Sequence, residues 1–205
     1  MNELPPALQR YVLGVVALGC VLFVAVLALV PQDNIDLFAL SFFFIVGLLT
    51  EIKVIKYSKD VSQTVSTAIF IAATFVLSPP GLLLVVVLAS LLADIYLGKP
   101  WYKVLFNASL RVISFGIPAI FVAWFDLYPR WVVSVSYVLL GAMALGLYVV
   151  LTTCIIGVLL ALSSHTPLRT GTQRTLTVFS LYDLPLLPYG IILAWLWYAN
   201  IWLFL

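Results

Sequence analysis

The chain has 205 residues, of which 64% are hydrophobic and only 9% carry a charge, and its mean hydropathy is +1.20. Soluble globular proteins contain roughly 25% charged residues, so these few charges could not cover the surface of a water-soluble domain of this length. The net charge of +2 is too small to indicate a nucleic-acid partner. The composition therefore predicts a single integral membrane domain over residues 1–205, with the lipid bilayer as its first partner.

The apolar runs are long and do not alternate with polar residues. Residues 11–30 contain no charge, and residues 176–205 contain only Asp183. A helix needs about 20 residues to cross the hydrocarbon core, whereas barrel strands alternate over about 10 residues. The sequence therefore predicts an all-α, polytopic helical bundle with about seven transmembrane helices. These segments lie near residues 11–30, 35–55, 62–78, 81–98, 104–125, 132–162 and 178–198.

Prolines mark one connection clearly, and the C-terminal residues leave two interpretations. Ser78-Pro79-Pro80-Gly81 predicts a tight hairpin between the third and fourth segments, because consecutive prolines donate no backbone hydrogen bonds. The apolar residues Ile201–Leu205 either lie in the outer interface, where Trp is favoured, or begin an eighth helix. We favour the eighth helix.

The distribution of Lys and Arg predicts a cytoplasmic N-terminus. With that orientation eight basic residues fall in inside loops, and Arg130 alone falls in an outside loop. An excess of positive residues on the cytoplasmic side is the usual determinant of topology. The eight inside residues are Arg10, Lys53, Lys56, Lys59, Lys99, Lys103, Arg169 and Arg174.

Three polar residues form the main candidate site. Asp94 lies about one turn before the end of the fourth segment, and Arg111 lies about two turns into the fifth, so we expect them at similar depth and able to pair. Asn107 precedes Arg111 by four residues and shares its helix face. Charges inside membrane helices usually face the bundle interior and are paired. The pair is either a structural link that fixes helix register or part of a site that binds a polar molecule from the cytoplasmic side.

Two further acidic residues are weaker candidates. Glu51, near the inner end of the second segment, fits either interpretation, and its two neighbouring lysines favour an interfacial role. Asp183 precedes Leu184-Pro185-Leu186-Leu187-Pro188, which indicates a broken helix. Such a break either lines a cavity or starts a new helix with Asp183 as its N-cap, and we favour the cap.

Other features point away from enzymatic or metal chemistry. HExxH, GxSxG, P-loop and paired catalytic carboxylate motifs are absent from the sequence, so we expect no enzyme activity and identify no cofactor. Cys20 and Cys154 lie in apolar runs without metal-ligand spacing, so we expect small buried hydrophobic residues and no metal site.

Small residues spaced four apart occur on three segments. They let helices approach closely, so we expect internal packing, with a docking face for another subunit as the alternative. They are Thr64, Ala68 and Ala72 on the third segment, Ala89 and Ala93 on the fourth, and Ala142 and Gly146 on the sixth.

The loop between the fourth and fifth segments carries a resemblance to a known family. Its Trp101 and Tyr102 stand between two lysines, as suits residues at the headgroup level. Together with other short stretches, this loop resembles a bacterial multi-helix membrane region found N-terminal to cytoplasmic HD-GYP phosphodiesterase or GGDEF cyclase domains. The matching stretches are Val65–Ala68, Leu77–Gly81, Leu92–Asp94, Gly98–Ala108, Leu162–Ser164 and Pro167–Leu168.

The resemblance implies a sensory input region of the bacterial cytoplasmic (inner) membrane that binds an unidentified ligand and acts in signal transduction. In that family a final helix leads into the output domain. The given sequence stops before that point, so we expect either a fragment or a free-standing homologue that works with a cytoplasmic partner. A weaker resemblance is to the substrate-binding S components of energy-coupling-factor vitamin transporters, which implies a transport component docked on a membrane subunit. A third alternative is a structural accessory subunit of a larger membrane complex.

Overall fold

The computed structural model describes residues 5–30, 36–56, 62–125, 135–164, 166–182 and 184–199. Within these ranges the chain forms eight α-helices and one short β-hairpin, so the all-α class is confirmed. The helices are α1 Pro6–Leu29, α2 Leu37–Ile52, α3 Ser66–Val76, α4 Pro79–Tyr96, α5 Trp101–Trp124, α6 Val135–Ser164, α7 Leu168–Tyr182 and α8 Leu186–Ala199. The hairpin pairs β1 Val54–Lys56 with β2 Ser62–Thr64 in antiparallel register.

In the part of the chain that the structure describes, four helices are long and apolar enough to cross a membrane: α1, α4, α5 and the Gly141–Ser164 part of α6. Three more apolar helices, α2, α3 and α8, have between 11 and 16 residues. A helix rises about 1.5 Å per residue, so each of these three is shorter than the hydrocarbon core is thick. Each of the seven predicted segments therefore contains one apolar helix, but length and composition qualify only four of them as spans.

The structure corrects the predicted segments in two places. Residues 54–56 and 62–64 are strands, although the second and third segments were predicted as helix there. The seventh segment was predicted as continuous over 178–198 but is divided between α7 and α8, with Leu184 and Pro185 in the turn. The polar residues of α7, such as Arg169 and Gln173, gave no membrane signal, so this helix was missed.

The turn between α3 and α4 is confirmed at the two prolines. Pro79 and Pro80 are the first residues of α4, where a proline removes no helical hydrogen bond and its fixed φ suits the helix. Ser78, with extended backbone, is the N-cap position.

The core is built around α3, whose residues Ser66 to Phe75 are all buried. It packs against α2, α5 and α8, and Phe70 at its middle makes an edge-to-face contact with Phe115 of α5 at 5.6 Å between ring centroids. The ring of Phe115 in turn lies 4.8 Å from that of Tyr148 on α6. The short helix is thus enclosed by longer ones, which explains its high apolar content on every side.

The outer surface of the bundle is also apolar. Large hydrophobic side chains are exposed along α1, among them Leu13, Leu18, Val21 and Val24. A continuous apolar exterior of this kind is unfavourable in water and is what a lipid environment requires. Cys20 and Cys154 belong to this exposed surface, so the expectation that they are buried was wrong.

The small-residue pairs divide into two kinds. Ala68, Ala72, Ala89 and Ala93 are all buried within the chain, so on α3 and α4 the small residues serve internal packing. Ala142 and Gly146 on α6 are instead exposed.

Two glycines allow particularly close helix contacts with α3. A Cβ atom on Gly190 of α8 would lie 2.6 Å from Cγ2 of Ile71 and 2.8 Å from the carbonyl oxygen of Ala68. A Cβ atom on Gly47 of α2 would lie 2.7 Å from Cε1 of Phe70. Both contacts are closer than real Cβ atoms approach, so each helix depends on its glycine to reach α3.

We therefore expect Gly190→Ala to force α8 away from α3 and to lower the free energy of unfolding by about 1–3 kcal/mol, as overpacking does. Gly146→Ala is the matched control, because no atom lies within 4 Å of its added Cβ and alanine favours helix. Unfolding by denaturant in detergent micelles measures both variants. Equal stability of Gly190→Ala and wild type would contradict the close α3–α8 contact.

Candidate functional site

The carboxylate of Asp94 is held within the turn that joins α4 to α5. Gly98, with φ of 65°, lies two residues after the end of α4. The backbone N–H of the next residue, Lys99, donates to the carbonyl of Asp94 at 3.0 Å. This left-handed turn brings the Lys99 side chain back to α4, where its ammonium pairs with Oδ1 of Asp94. The amide of Asn107 donates to Oδ2 of the same carboxylate at 2.7 Å.

Both oxygens of Asp94 therefore have a partner, and all three residues belong to α4, α5 or the turn between them. Asp94 is only 5% exposed, so its charge needs these partners to be tolerated inside the bundle. The arrangement fixes the angle of the α4–α5 connection. We refer to Asp94, Lys99 and Asn107 as the turn cluster.

Arg111 belongs to a second cluster, which joins three helices. Its Nη2 pairs with Oε1 of Glu51 from the last turn of α2, and its guanidinium carbon lies 5.4 Å from the centroid of the Phe70 ring on α3. Glu51 is only 6% exposed. A guanidinium over an aromatic face gains electrostatic stabilisation in addition to its ion pair. We refer to Glu51, Phe70 and Arg111 as the arginine cluster.

The predicted pair between Asp94 and Arg111 is thus replaced by two pairs, Asp94 with Lys99 and Arg111 with Glu51. The prediction rested on the similar depth of Asp94 and Arg111 in adjacent helices. It did not consider that a left-handed turn at Gly98 could direct the Lys99 side chain back to Asp94. The hydrogen bond between Asn107 and Asp94 agrees with the predicted polar cluster.

Unsatisfied polar groups lie one turn deeper on the same helices. Ser114 follows Arg111 by three residues, is 2% exposed, and its hydroxyl has no hydrogen-bond partner among the described residues. Pro118 of α5 has no N–H, so the carbonyl of Ser114 also lacks its usual helical donor. The hydroxyl of Ser90, one turn before Asp94 on α4, is likewise buried without a partner. Buried polar groups normally have partners, so these two hydroxyls are unusual features of the apolar bundle.

Two threonines of α6 share this property. Thr152 and Thr153 are buried, and neither hydroxyl has a hydrogen-bond partner in the described part of the chain. In membrane helices such hydroxyls commonly bond to the carbonyl one turn earlier, as Thr74 does with Phe70 at 2.8 Å. The two threonines do not, which sets them apart.

The remaining candidates belong to neither cluster or lie outside the described structure. Trp101 and Tyr102 begin α5, with ring centroids 6.3 Å apart, and Trp101 is exposed. Asp183 lies outside the described residues. The described residues contain no group of three or more His, Cys, Asp or Glu side chains that could hold a metal ion.

The sequence had placed Glu51 among the weaker candidates and had missed Phe70 and Ser114. An acidic residue at the end of an otherwise apolar helix was the available signal for Glu51. Phe70 gave none, because a phenylalanine in an apolar helix is indistinguishable from ordinary core. The pair of Ser114 and Pro118, four residues apart in one helix, was a detectable signal for an unpaired carbonyl.

No protein-family model matches the sequence, and neither a curated protein nor a solved structure matches the chain. Fold and composition nevertheless define the class. The chain is a helical membrane protein, with charged and polar side chains enclosed among its apolar helices.

Double-mutant cycles test the assignment of partners. We expect Arg111→Met to destabilise by about 3–5 kcal/mol, because it leaves Glu51 as an uncompensated buried charge. Adding Glu51→Gln should recover part of that loss, with an interaction energy of about 0.5–3 kcal/mol. The control cycle pairs Arg111→Met with Asp94→Asn and should show the smaller interaction energy. A larger interaction energy for Arg111 with Asp94 than with Glu51 would contradict the assignment and support the pair predicted from sequence.

Proposed function

We propose that the chain is a membrane-embedded sensory or regulatory module, which binds a small or lipidic molecule and couples its binding to a cytoplasmic partner. The ligand enters from the cytoplasmic side and meets the arginine cluster, while the turn cluster holds α4 and α5 in place. Asp94 and Asn107 then act as positioning residues, and Glu51 and Arg111 face the ligand.

One observation carries this proposal: Arg111 pairs with the buried Glu51 among apolar helices, one turn from Ser114, whose hydroxyl has no hydrogen-bond partner among the described residues. Ionisable residues inside membrane helices are expensive to bury and commonly mark ligand or ion sites. An ion pair that only fixes helix register needs no unpaired polar groups beside it, and the turn cluster has both oxygens of Asp94 paired. The spare polar groups beside Arg111 favour binding.

We infer a multi-pass protein of the bacterial inner membrane with seven crossings, α1–α6 and α8, and with the N-terminus in the cytoplasm. The excess of Lys and Arg on one side supports this orientation, since it places Arg10, Lys53, Lys99 and Lys103 together. α7 then lies on the cytoplasmic side, packed on α6.

A second candidate function, a subunit of a larger membrane complex such as a transporter, is favoured by the exposure of Ala142 and Gly146 on α6. Small residues four apart on an outward face suit close contact with another membrane helix. The two candidates differ in that the binding module holds its ligand without any other subunit.

Native mass spectrometry of the protein purified from its own membranes tests the binding function. We expect the wild type to retain a non-covalently bound molecule, and Arg111→Met to lose it because the cation that holds the polar group is gone. Lys103→Gln, which removes an exposed charge at the same end of α5, is the matched control and should retain the molecule. A wild type with nothing bound, or equal retention by Arg111→Met, would count against the proposal.

Cysteine labelling tests the topology. In a background with Cys20 and Cys154 replaced by serine, Trp124→Cys at the end of α5 should react with a membrane-impermeant maleimide in intact cells. Lys53→Cys, at the end of α2, should react only after the cells are permeabilised, because the proposed topology places it inside. Both positions are exposed in the structure. Labelling of Lys53→Cys in intact cells would place this position outside and contradict the proposed topology.

A further inference from the structure

We propose that Arg111 binds a phosphate group in competition with Glu51, and that release of Glu51 loosens the β1–β2 hairpin. This inference rests on the proposed function, since it names the ligand class and the coupling mechanism of the same site. The phosphate belongs either to a lipid headgroup or to a soluble molecule, and the experiment distinguishes the two.

Arg111 has capacity for a second partner. A guanidinium carries five N–H donors, and the ion pair with Glu51 is made through Nη2. The side chain is 20% exposed, so Arg111 is not fully enclosed by its neighbours. Arginine pairs with phosphate through two parallel hydrogen bonds, which makes it a better phosphate site than lysine.

The surroundings of Arg111 favour an anion. The hydroxyl of Ser114, one turn further along α5, has no hydrogen-bond partner among the described residues and can donate to a phosphate oxygen. The charge of Asp94 is offset by Lys99 and Asn107 and repels an anion less than a free carboxylate would. Lys53 and Lys103, both exposed at the same end of the bundle, raise the local concentration of anions.

Glu51 is the group that a phosphate must displace. A phosphate monoester carries more negative charge than a carboxylate, about −1.5 to −2 near neutral pH, so it competes well for the same guanidinium. Oε1 of Glu51 has no hydrogen-bond partner in the described part of the chain, so its ion pair with Arg111 is what compensates its charge. Its position therefore depends on the charge of Arg111.

The arginine cluster holds both ends of the hairpin. Glu51 lies in the last turn of α2, three residues before β1 begins at Val54. Phe70 lies in the second turn of α3, which begins two residues after β2 ends at Thr64. Arg111 contacts both Glu51 and Phe70. It therefore links α2 and α3, the helices on either side of the hairpin, to α5. A ligand that binds Arg111 in place of Glu51 breaks the ion pair between α5 and α2. The hairpin that follows α2 is then held less tightly, and this change is exposed at the cytoplasmic surface.

The test uses the full chain in nanodiscs of zwitterionic lipid, with either inorganic phosphate added or phosphatidic acid included in the bilayer. Hydrogen exchange of the β1 and β2 amides reports the hairpin, and its dependence on phosphate or lipid concentration gives the affinity. We expect faster exchange with at least one of the two probes. Response to inorganic phosphate indicates a soluble ligand, and response to phosphatidic acid alone indicates a lipid headgroup.

Three variants separate competition from a merely structural pair. Glu51→Gln removes the competing charge, so it should bind the probe about tenfold more tightly, a typical coupling between linked equilibria. Its hairpin amides should also exchange faster without any probe. Arg111→Lys keeps the charge but loses the paired donors and should bind more weakly. Lys103→Gln should weaken binding less than Arg111→Lys does, because the exposed Lys103 attracts anions without holding the phosphate.

Two outcomes overturn the inference: neither probe speeds hairpin exchange in the wild type, or Glu51→Gln binds no more tightly than the wild type. If the purified protein nevertheless retains a bound molecule that Arg111→Met loses, the proposed binding function stands and only the phosphate assignment fails. If that molecule is missing as well, both fail.

Discussion

The guanidinium of Arg111 lies among helices that are almost entirely apolar, and the arrangement around it follows from the need to compensate its charge. Glu51 supplies the opposite charge from α2, and Phe70 supplies an aromatic face from α3. An unpaired charge at this position would be strongly destabilising, so α2, α3 and α5 must meet where Arg111 requires them. The same contacts determine where the chain leaves α2 and enters α3, and hence where the hairpin forms.

Close packing around α3 is the second constraint. Because this helix has only 11 residues and is buried on all sides, its neighbours must come close to it. Gly47 and Gly190 provide that approach from α2 and α8. Trp197 then joins α8 to α2, with its ring centroid 5.1 Å from those of Phe42 and Phe43. The packed centre supports the arginine cluster, since Phe70 is both its aromatic face and a core residue.

Much of the architecture was predictable because it depends on local patterns. Uninterrupted apolar runs identified the seven apolar helices, and Pro79-Pro80 located the turn before α4. The hairpin and α7 were not predicted, because three-residue strands and a polar helix have no membrane signature. The orientation inferred from Lys and Arg and the crossing of the short helices remain predictions.

The candidate site was predicted in composition but not in pairing. The sequence indicated Asp94, Asn107 and Arg111 as polar residues at similar depth, and Asn107 does bond to Asp94. Which acid meets Arg111 depends on the rotation of α2 about its axis and on the left-handed turn at Gly98. Neither can be derived from spacing within two helices. Lys99, five residues along the chain, pairs with Asp94, and Arg111 pairs instead with Glu51, which is distant in sequence.

The central claim is that Arg111 pairs with Glu51 inside the membrane domain. Solid-state NMR of the protein in lipid bilayers, with ¹⁵N-labelled arginine and ¹³C-labelled carboxylates, measures this contact directly through dipolar coupling. The account predicts strong coupling between the Arg111 guanidinium and the side-chain carboxyl carbon of Glu51, and its loss in Glu51→Gln labelled in the same way. Coupling of Arg111 to Asp94 in place of Glu51 would contradict it.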